Sequence, residues 1–215
     1  MQIHTFVLGP VSTNAYLVVR PGTKRALVLD PGGDPAPLVE HIQQAGLQVE
    51  AILLTHAHWD HIAGLDEVRE ATQWPPVYLS AVEESWTGDT EKNGSARWLK
   101  DGCTVSKPVE NLVQGEPLLS FLGKEIQVIS TPGHTPGSLS YKMDQVIFCG
   151  DLVFRGSVGR TDLYGGDAQV LRNSLRHLAI FSSAGTRLLP GHGPATTWGY
   201  EQEHNPWLQV GRSPW

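Results

Sequence analysis

Residues 54–61 read Leu-Thr-His-Ala-His-Trp-Asp-His and close the apolar run Ala51-Ile52-Leu53-Leu54. No other segment constrains the fold as tightly. A near-continuous apolar run is the pattern of a strand covered on both faces. The chain therefore carries His56, His58, Asp60 and His61 at the end of an interior strand. Four titratable side chains crowded there are costly to pack against one another in a core. As ligands to cations the same groups contribute binding energy instead. The fold must then bring other ligand-bearing loops to that strand end.

Three more residues suit the role. His134 stands in Thr131-Pro132-Gly133-His134, Asp151 follows Cys149-Gly150, and His192 follows Leu189-Pro190-Gly191. Each comes after an apolar stretch, and the preceding glycine permits a tight turn. Zinc and similar ions take imidazole nitrogen and carboxylate oxygen at about 2.0–2.2 Å, so ligands must converge closely. Convergence is easiest where several strands end at one edge of a sandwich. His56 and His58 are two apart and can face the same way, whereas Asp60 and His61 point elsewhere. The expected allocation gives His56, His58 and His134 to one ion, and Asp60, His61 and His192 to a second. Asp151 bridges the two, with a water or hydroxide. The other histidines, His4, His41, His177 and His204, read as surface or satisfied core residues. His41 and His177 lie in helical stretches with no partner at ligand spacing.

Hydrophobic periodicity and turn residues give the element order. Strands are predicted at 3–8, 14–19 and 25–30. A helix follows over 34–45, with Leu38, Val39 and Ile42 on its apolar face and Gly46 as its stop. Next come a strand at 49–55, a helix at 64–72 and a strand at 77–79. Residues 83–107 are irregular, with short helices expected near 83–86 and 96–99. Strands at 117–122, 125–130, 138–142 and 145–149 precede a helix at 168–178 and a strand at 186–189. Strands followed by helix and strand occur twice, without a sequence repeat. Two sheets packed face to face with helices outside satisfy that order. No Pro-rich or Gly/Ser-rich linker divides the chain, so residues 1–215 read as a single domain.

Composition agrees: 40% hydrophobic and 18% charged residues allow a packed core. The net charge of -6 is dispersed, and no Lys/Arg cluster offers a track for nucleic acid. Two cysteines, Cys103 and Cys149, make no disulfide framework, and Cys149 in its apolar run reads as a buried, inert thiol. The N-terminus lacks signal-peptide features, and no stretch has the length of a membrane span. A cytoplasmic location without membrane partners is the expectation. Trp198, Trp207 and Trp215 near the end suit either packing or an interface, and nothing in the sequence marks an oligomeric state.

The pattern His56-X-His58-X-Asp60-His61, then His134, Asp151 and His192, resembles the metallo-β-lactamase superfamily. Within it, the chain looks most like the hydroxyacylglutathione hydrolase (glyoxalase II) branch. The likeness runs from Thr13-Asn14-Ala15-Tyr16-Leu17-Val18 to Leu189-Pro190-Gly191-His192-Gly193. It implies an α/β fold, the four-layer αββα sandwich, and two divalent metal ions, zinc first, with iron or manganese as alternatives. It also implies hydrolysis of a small-molecule thioester of the S-D-lactoylglutathione type by a metal-bridging hydroxide that Asp60 orients. A bridging aspartate after a glycine, here Asp151, is typical of that branch. Arg160 in Gly159-Arg160 falls where the family has a basic residue that contacts the glutathione carboxylate, and is the expected substrate contact. Two departures bear on the substrate. The family's C-terminal helical domain is expected to be absent, since only residues 193–215 follow His192, and Gly193-Pro194-Ala195 supplies no tyrosine. Weaker glutathione binding or a different thiol carrier is the expectation from the missing helical domain. The competing activities are a mononuclear iron persulfide dioxygenase and, more remotely, a lactonase or β-lactamase.

Overall fold

The computed structural model describes residues 1–209. Its first sheet has six strands in sequential order: β1 (Gln2–Leu8), β2 (Thr13–Val19), β3 (Arg25–Leu29), β4 (Gln48–Leu53), β5 (Val77–Ser80) and β6 (Asn111–Val113). β1 to β3 pair antiparallel, and β3 to β6 run parallel. Parallel neighbours need crossovers. Helix α1 (Ala36–Ala45) supplies the first, ending at Gly46 in the left-handed region (φ 60), as the sequence predicts. α2 (Trp59–Ile62) and α3 (Leu65–Ala71) supply the second. Between β5 and β6 the chain forms a 3-10 segment over Ala81–Gly88 and the short α4 (Ser95–Trp98), where two short helices were expected.

The second sheet contains β7 (Leu118–Phe121), β8 (Lys124–Ser130), β9 (Leu139–Met143) and β10 (Val146–Gly150) as an antiparallel meander. A small hairpin, β11 (Val153–Phe154) with β12 (Ser157–Val158), precedes α5 (Ala168–Ile180). β13 (Arg187–Pro190) then joins β10 in parallel, and β14 (Thr196–Thr197) closes the sheet beside it before α6 (Trp198–His204).

Strand alternation sorts the apolar residues into three cores. Tyr16, Val18, Leu27, Leu29, Leu53 and Phe148 fill the space between the sheets. Their neighbours Leu17, Val28 and Ile52 turn outward onto Leu38, Ile42 and Val68 of α1 and α3. Ile129, Ile147 and Leu188 of the second sheet meet Leu171, Leu175 and Leu178 of α5. Helix, sheet, sheet and helix are thus stacked as the element order implied. Trp198 is buried in this last core and Trp207 packs on its edge, while Trp215 lies outside the described residues.

Apart from α6, the elements that sequence periodicity did not predict are short. β6, the β11–β12 hairpin and β14 span two or three residues each, too few to show alternation. α6 carried a readable signal, because the Thr197 hydroxyl caps it by accepting from the Tyr200 N–H. Cys103 and Cys149 are free thiols, and burial pushes Cys149 up to about 12, an inert state. No helix among the described residues is long and apolar enough to cross a membrane.

Candidate metal centre

Four strand ends deliver the predicted residues to one edge of the sandwich: β4 leads to His56, β8 to His134, β10 to Asp151 and β13 to His192. Backbone contacts lock these ends together across the two sheets. Leu139 N donates to Thr55 O at 2.7 Å, Gly191 N to Gly150 O at 2.9 Å, and Asn14 N to Gly191 O at 2.7 Å. Gly150 adopts φ +47, and a Cβ there would collide with the Thr55 side chain. Gly191 lies against the ligands themselves, and a Cβ on it would overlap Asp151 Oδ1 and the His61 ring.

One group of three is all imidazole. His58 Nδ1 lies 3.1 Å from His56 Nε2 and 2.9 Å from His134 Nε2, and all three rings are buried. The outward nitrogens decide which inward ones are bare. The Thr55 hydroxyl donates to Asp30 Oδ2 at 2.8 Å, so its oxygen accepts from His56 Nδ1 at 3.0 Å. The Arg160 carbonyl can only accept, and it takes His134 Nδ1–H at 2.7 Å. Both Nε2 atoms are thereby left as lone pairs facing the cluster, the arrangement that outer hydrogen bonds impose on metal-binding histidines. Burial, and then the surrounding imidazoles, holds His56 well below its ordinary value. The same two causes, burial and then His134, bring His58 to about 3.

The second group mixes charge. Asp60 Oδ2 lies 3.5 Å from His61 Nε2 and 3.2 Å from His192 Nε2, and accepts the Thr13 hydroxyl at 2.8 Å. Burial works to raise the Asp60 carboxyl, but His61, His192 and Thr13 hold it below the usual carboxylate range. Burial likewise opposes charge on His61, yet Asp60, Asp151 and Asp30 raise it well above the ordinary histidine value. His192 is also raised against burial, chiefly by its hydrogen bond to Asp60 and by the charge of Asp151. Asp151 stands between the groups: Oδ1 is 3.4 Å from His61, while Oδ2 is 3.5 Å from His134 and 3.6 Å from His192. Burial again acts upward, but these imidazoles, His61 foremost, hold Asp151 at about 2.

Cations fit this cluster on the protein's own terms. His58 Nε2, both nitrogens of His61 and Asp151 Oδ1 are buried without a hydrogen-bond partner. His61 Nδ1 has Asp30 Oδ2 at 3.1 Å, an ion-pair distance without the alignment of a hydrogen bond. Buried polar atoms without a partner are rare in native proteins. Ligand atoms of His56, His58 and His134, of His56, His61 and Asp151, and of Asp60, His61 and His192 lie within 4.8 Å of one another in each set. Imidazole and carboxylate together suit zinc, iron or manganese. All seven predicted side chains therefore meet in one cluster able to hold metal ions.

The sequence profile of the metallo-beta-lactamase superfamily matches residues 8–196. The chain belongs to the metallo-beta-lactamase superfamily. Among its relatives, the probable metallo-hydrolase YqgX of Bacillus subtilis is 40% identical over 97% of this chain and 98% of its own. Hydroxyacylglutathione hydrolase GloC of Haemophilus influenzae is 28% identical over 86% of this chain and 88% of its own. Among solved structures, the BLEG-1 B3 metallo-beta-lactamase superposes with a TM-score of 0.93 at 41% identity, covering 97% of this chain and all of that one (100%). TTHA1623 in a di-iron-bound form gives 0.82 at 37%, over 95% and 100% of the two chains. ETHE1 from Myxococcus xanthus gives 0.78 at 26%, over 97% and 84%. The αββα fold and a metallo-hydrolase assignment follow for this member of the superfamily.

Arg160 is the predicted residue that stays outside the cluster. Its carbonyl serves His134, while its guanidinium turns to the rim and forms a bidentate pair with Asp162 at 2.6 and 2.8 Å. The cleft above the metal cluster, about 140 Å³, is bordered by Val11, Trp59, Trp98, Leu163 and Arg160. Thr13, Asp30 and Thr55 are site residues that sequence reasoning missed. The sequence pattern sets Asp30 inside a strand, but it sits just beyond β3 with φ 47, an uncommon conformation for a residue other than glycine. The turn after Asp30 aims its carboxylate at Thr55 and His61.

Proposed function

We propose that this chain is a binuclear metal-dependent hydrolase of thioesters of the hydroxyacylglutathione type, S-D-lactoylglutathione among them. One observation carries the reading: Asp151 faces imidazoles of both triads, His134 of the first at 3.5 Å and His61 and His192 of the second at 3.4 and 3.6 Å. His56, His58 and His134 would hold one ion, Asp60, His61 and His192 a second, with Asp151 shared. Two divalent cations in such a site supply Lewis acidity and a water that ionises near neutral pH, a nucleophile obtained without Ser or Cys. The residues around them have separate tasks. Asp60, fixed by Thr13 Oγ1 at 2.8 Å, would accept a hydrogen bond from the attacking solvent molecule and set its direction. Thr55 and the Arg160 carbonyl keep His56 and His134 in the ligand tautomer. A thiolate leaves readily, so the site needs no strong general acid.

The cleft shapes the substrate as well. At about 140 Å³ it is smaller than the roughly 300–1,000 Å³ of a typical small-molecule pocket. The acyl group enters it, and the thiol carrier lies across the rim. Trp98 and Val11, exposed by 55% and 43%, offer that carrier an apolar surface. Arg160 takes a carrier carboxylate by exchanging it for Asp162. The likeness to GloC supports the thioester class.

A second reading, persulfide oxygenation on a single iron, is favoured by the likeness to ETHE1. It leaves Asp60, His61 and His192 without a task, although they lie 3.2–3.5 Å apart. β-Lactam hydrolysis draws on the likeness to BLEG-1. One experiment separates them: purified protein of known metal content is assayed for thiol release from a panel of acyl-thioesters, oxygen uptake on glutathione persulfide, and lactone and β-lactam opening. Thiol release from a glutathione ester with two metals per chain is the expected result. One iron with oxygen uptake, or ring opening without thioesterase activity, would replace the proposal.

A further inference from the structure

A buried carboxylate beneath the first triad has no place in the chemistry above. Glu83, in the 3-10 segment Ala81–Gly88, is fully buried (0% exposed). Its Oε2 accepts the Ala57 N–H at 2.6 Å, and its Oε1 accepts the Gly137 N–H at 2.8 Å. The nearby Thr135 side chain also favours its ionised form. Ala57 lies between His56 and His58 in the loop after β4, and Thr135 and Gly137 lie just beyond His134 in the loop after β8. One carboxylate therefore spans the two loops, from opposite sheets, that carry all three imidazoles of the triad. Among the described residues no Lys or Arg pairs with Glu83, and burying a carboxylate without a cation is costly unless it is hydrogen-bonded throughout. Burial pushes the Glu83 carboxyl above the ordinary carboxylate value, against the N–H groups that hold it down, so the geometric tie between the two loops is what the contacts establish.

We propose that Glu83 is a positioning residue for the metal centre: it fixes the distance between the His56–His58 turn and the His134 loop. The inference rests on the ligand assignment given under the proposed function. Glu83→Gln keeps the volume but presents one oxygen and one amide group. Whichever way it turns, either Ala57 N–H or Gly137 N–H faces another donor.

The test is a zinc titration against a competing chelator on wild-type and Glu83→Gln protein. Far-UV circular dichroism of both metal-free forms verifies the fold. The affinity of the tighter site is expected to fall about 10–100-fold, the usual effect of removing an outer hydrogen-bond partner. An unchanged affinity in folded Glu83→Gln, with wild type binding normally, would overturn the role of Glu83 alone. Wild-type protein that binds no zinc would overturn the ligand assignment instead. Should the variant not fold, amide exchange in metal-free wild type decides. The Ala57 and Gly137 N–H groups are expected to exchange slowly, and exchange at the rate of exposed loops would refute the tie.

Discussion

Replacing Asp30 by Asn preserves the shape of a buried side chain and reverses a proton relay that ends on a metal ligand. In the native protein Asp30 Oδ1 accepts Thr55 N at 2.7 Å, and Oδ2 accepts the Thr55 hydroxyl at 2.8 Å. The hydroxyl oxygen is then free to accept His56 Nδ1–H at 3.0 Å. An Asn that keeps its oxygen on Thr55 N turns its amide group toward the hydroxyl and toward His61. Thr55 must now accept from that amide and send its own proton to His56 Nδ1. That moves the His56 proton to Nε2, the nitrogen that faces His58 at 3.1 Å. The opposite amide orientation sets the side-chain N–H against Thr55 N–H instead. Outer-partner substitutions of this kind weaken metal affinity about 10–100-fold, which corresponds to about 1.4–2.7 kcal/mol. Loss of a charge-assisted hydrogen bond costs about 1.5–3 kcal/mol of stability. That is less than the roughly 5–15 kcal/mol typical of a folded protein, so D30N folds with a melting point roughly 3–12 °C lower. The assay is zinc competition on folded D30N together with ¹⁵N NMR of the histidine tautomers. Wild-type affinity, or a His56 ring still protonated on Nδ1, would refute the relay.

Three other consequences can be measured. Gly191→Ala drives a Cβ into Asp151 Oδ1 and the His61 ring, and the expected result is fewer than two metals per chain with kcat/KM down about 10²-fold; full metal content would contradict the close approach. Metal binding at Asp60, His61 and His192 must displace protons, because His61 and His192 are raised, whereas His56 and His58 are lowered and already neutral at pH 7. Affinity at the mixed triad therefore rises with pH up to those raised values, and calorimetry in buffers of different ionisation enthalpy should record proton release from one of two sites. Trp98→Ala should lower kcat/KM about tenfold for thioesters with a bulky apolar carrier and leave small carriers unaffected; equal losses for both would remove Trp98 from the rim.

The cluster was legible because strand ends and ligands are local features. An apolar run followed by His-X-His-X-Asp-His fixes where β4 stops and what it presents, and Gly133, Gly150 and Gly191 mark the other three turns. The stacking of the sheets followed from the order of elements, and the burial of Leu17 and Tyr16 on opposite faces follows from alternation. The supporting shell was not legible. Thr13, Asp30 and Glu83 lie 47, 31 and 26 positions from Asp60, His61 and Ala57 respectively in hydrogen bonds or ion pairs that only the packed sandwich creates. Single Thr, Asp and Glu residues are common, and no spacing distinguishes these. Arg160 adds a contact that no spacing marks: besides the guanidinium role its sequence position suggests, its carbonyl accepts from His134 Nδ1.

The central claim is that two cations share Asp151, and locating the metals tests it most directly. Anomalous scattering from crystals of the protein as purified is predicted to show two ions per chain. One should lie among His56, His58 and His134 and the other among Asp60, His61 and His192, with an Asp151 oxygen on each. A single ion, with the Asp60, His61 and His192 side chains unligated, would contradict the account.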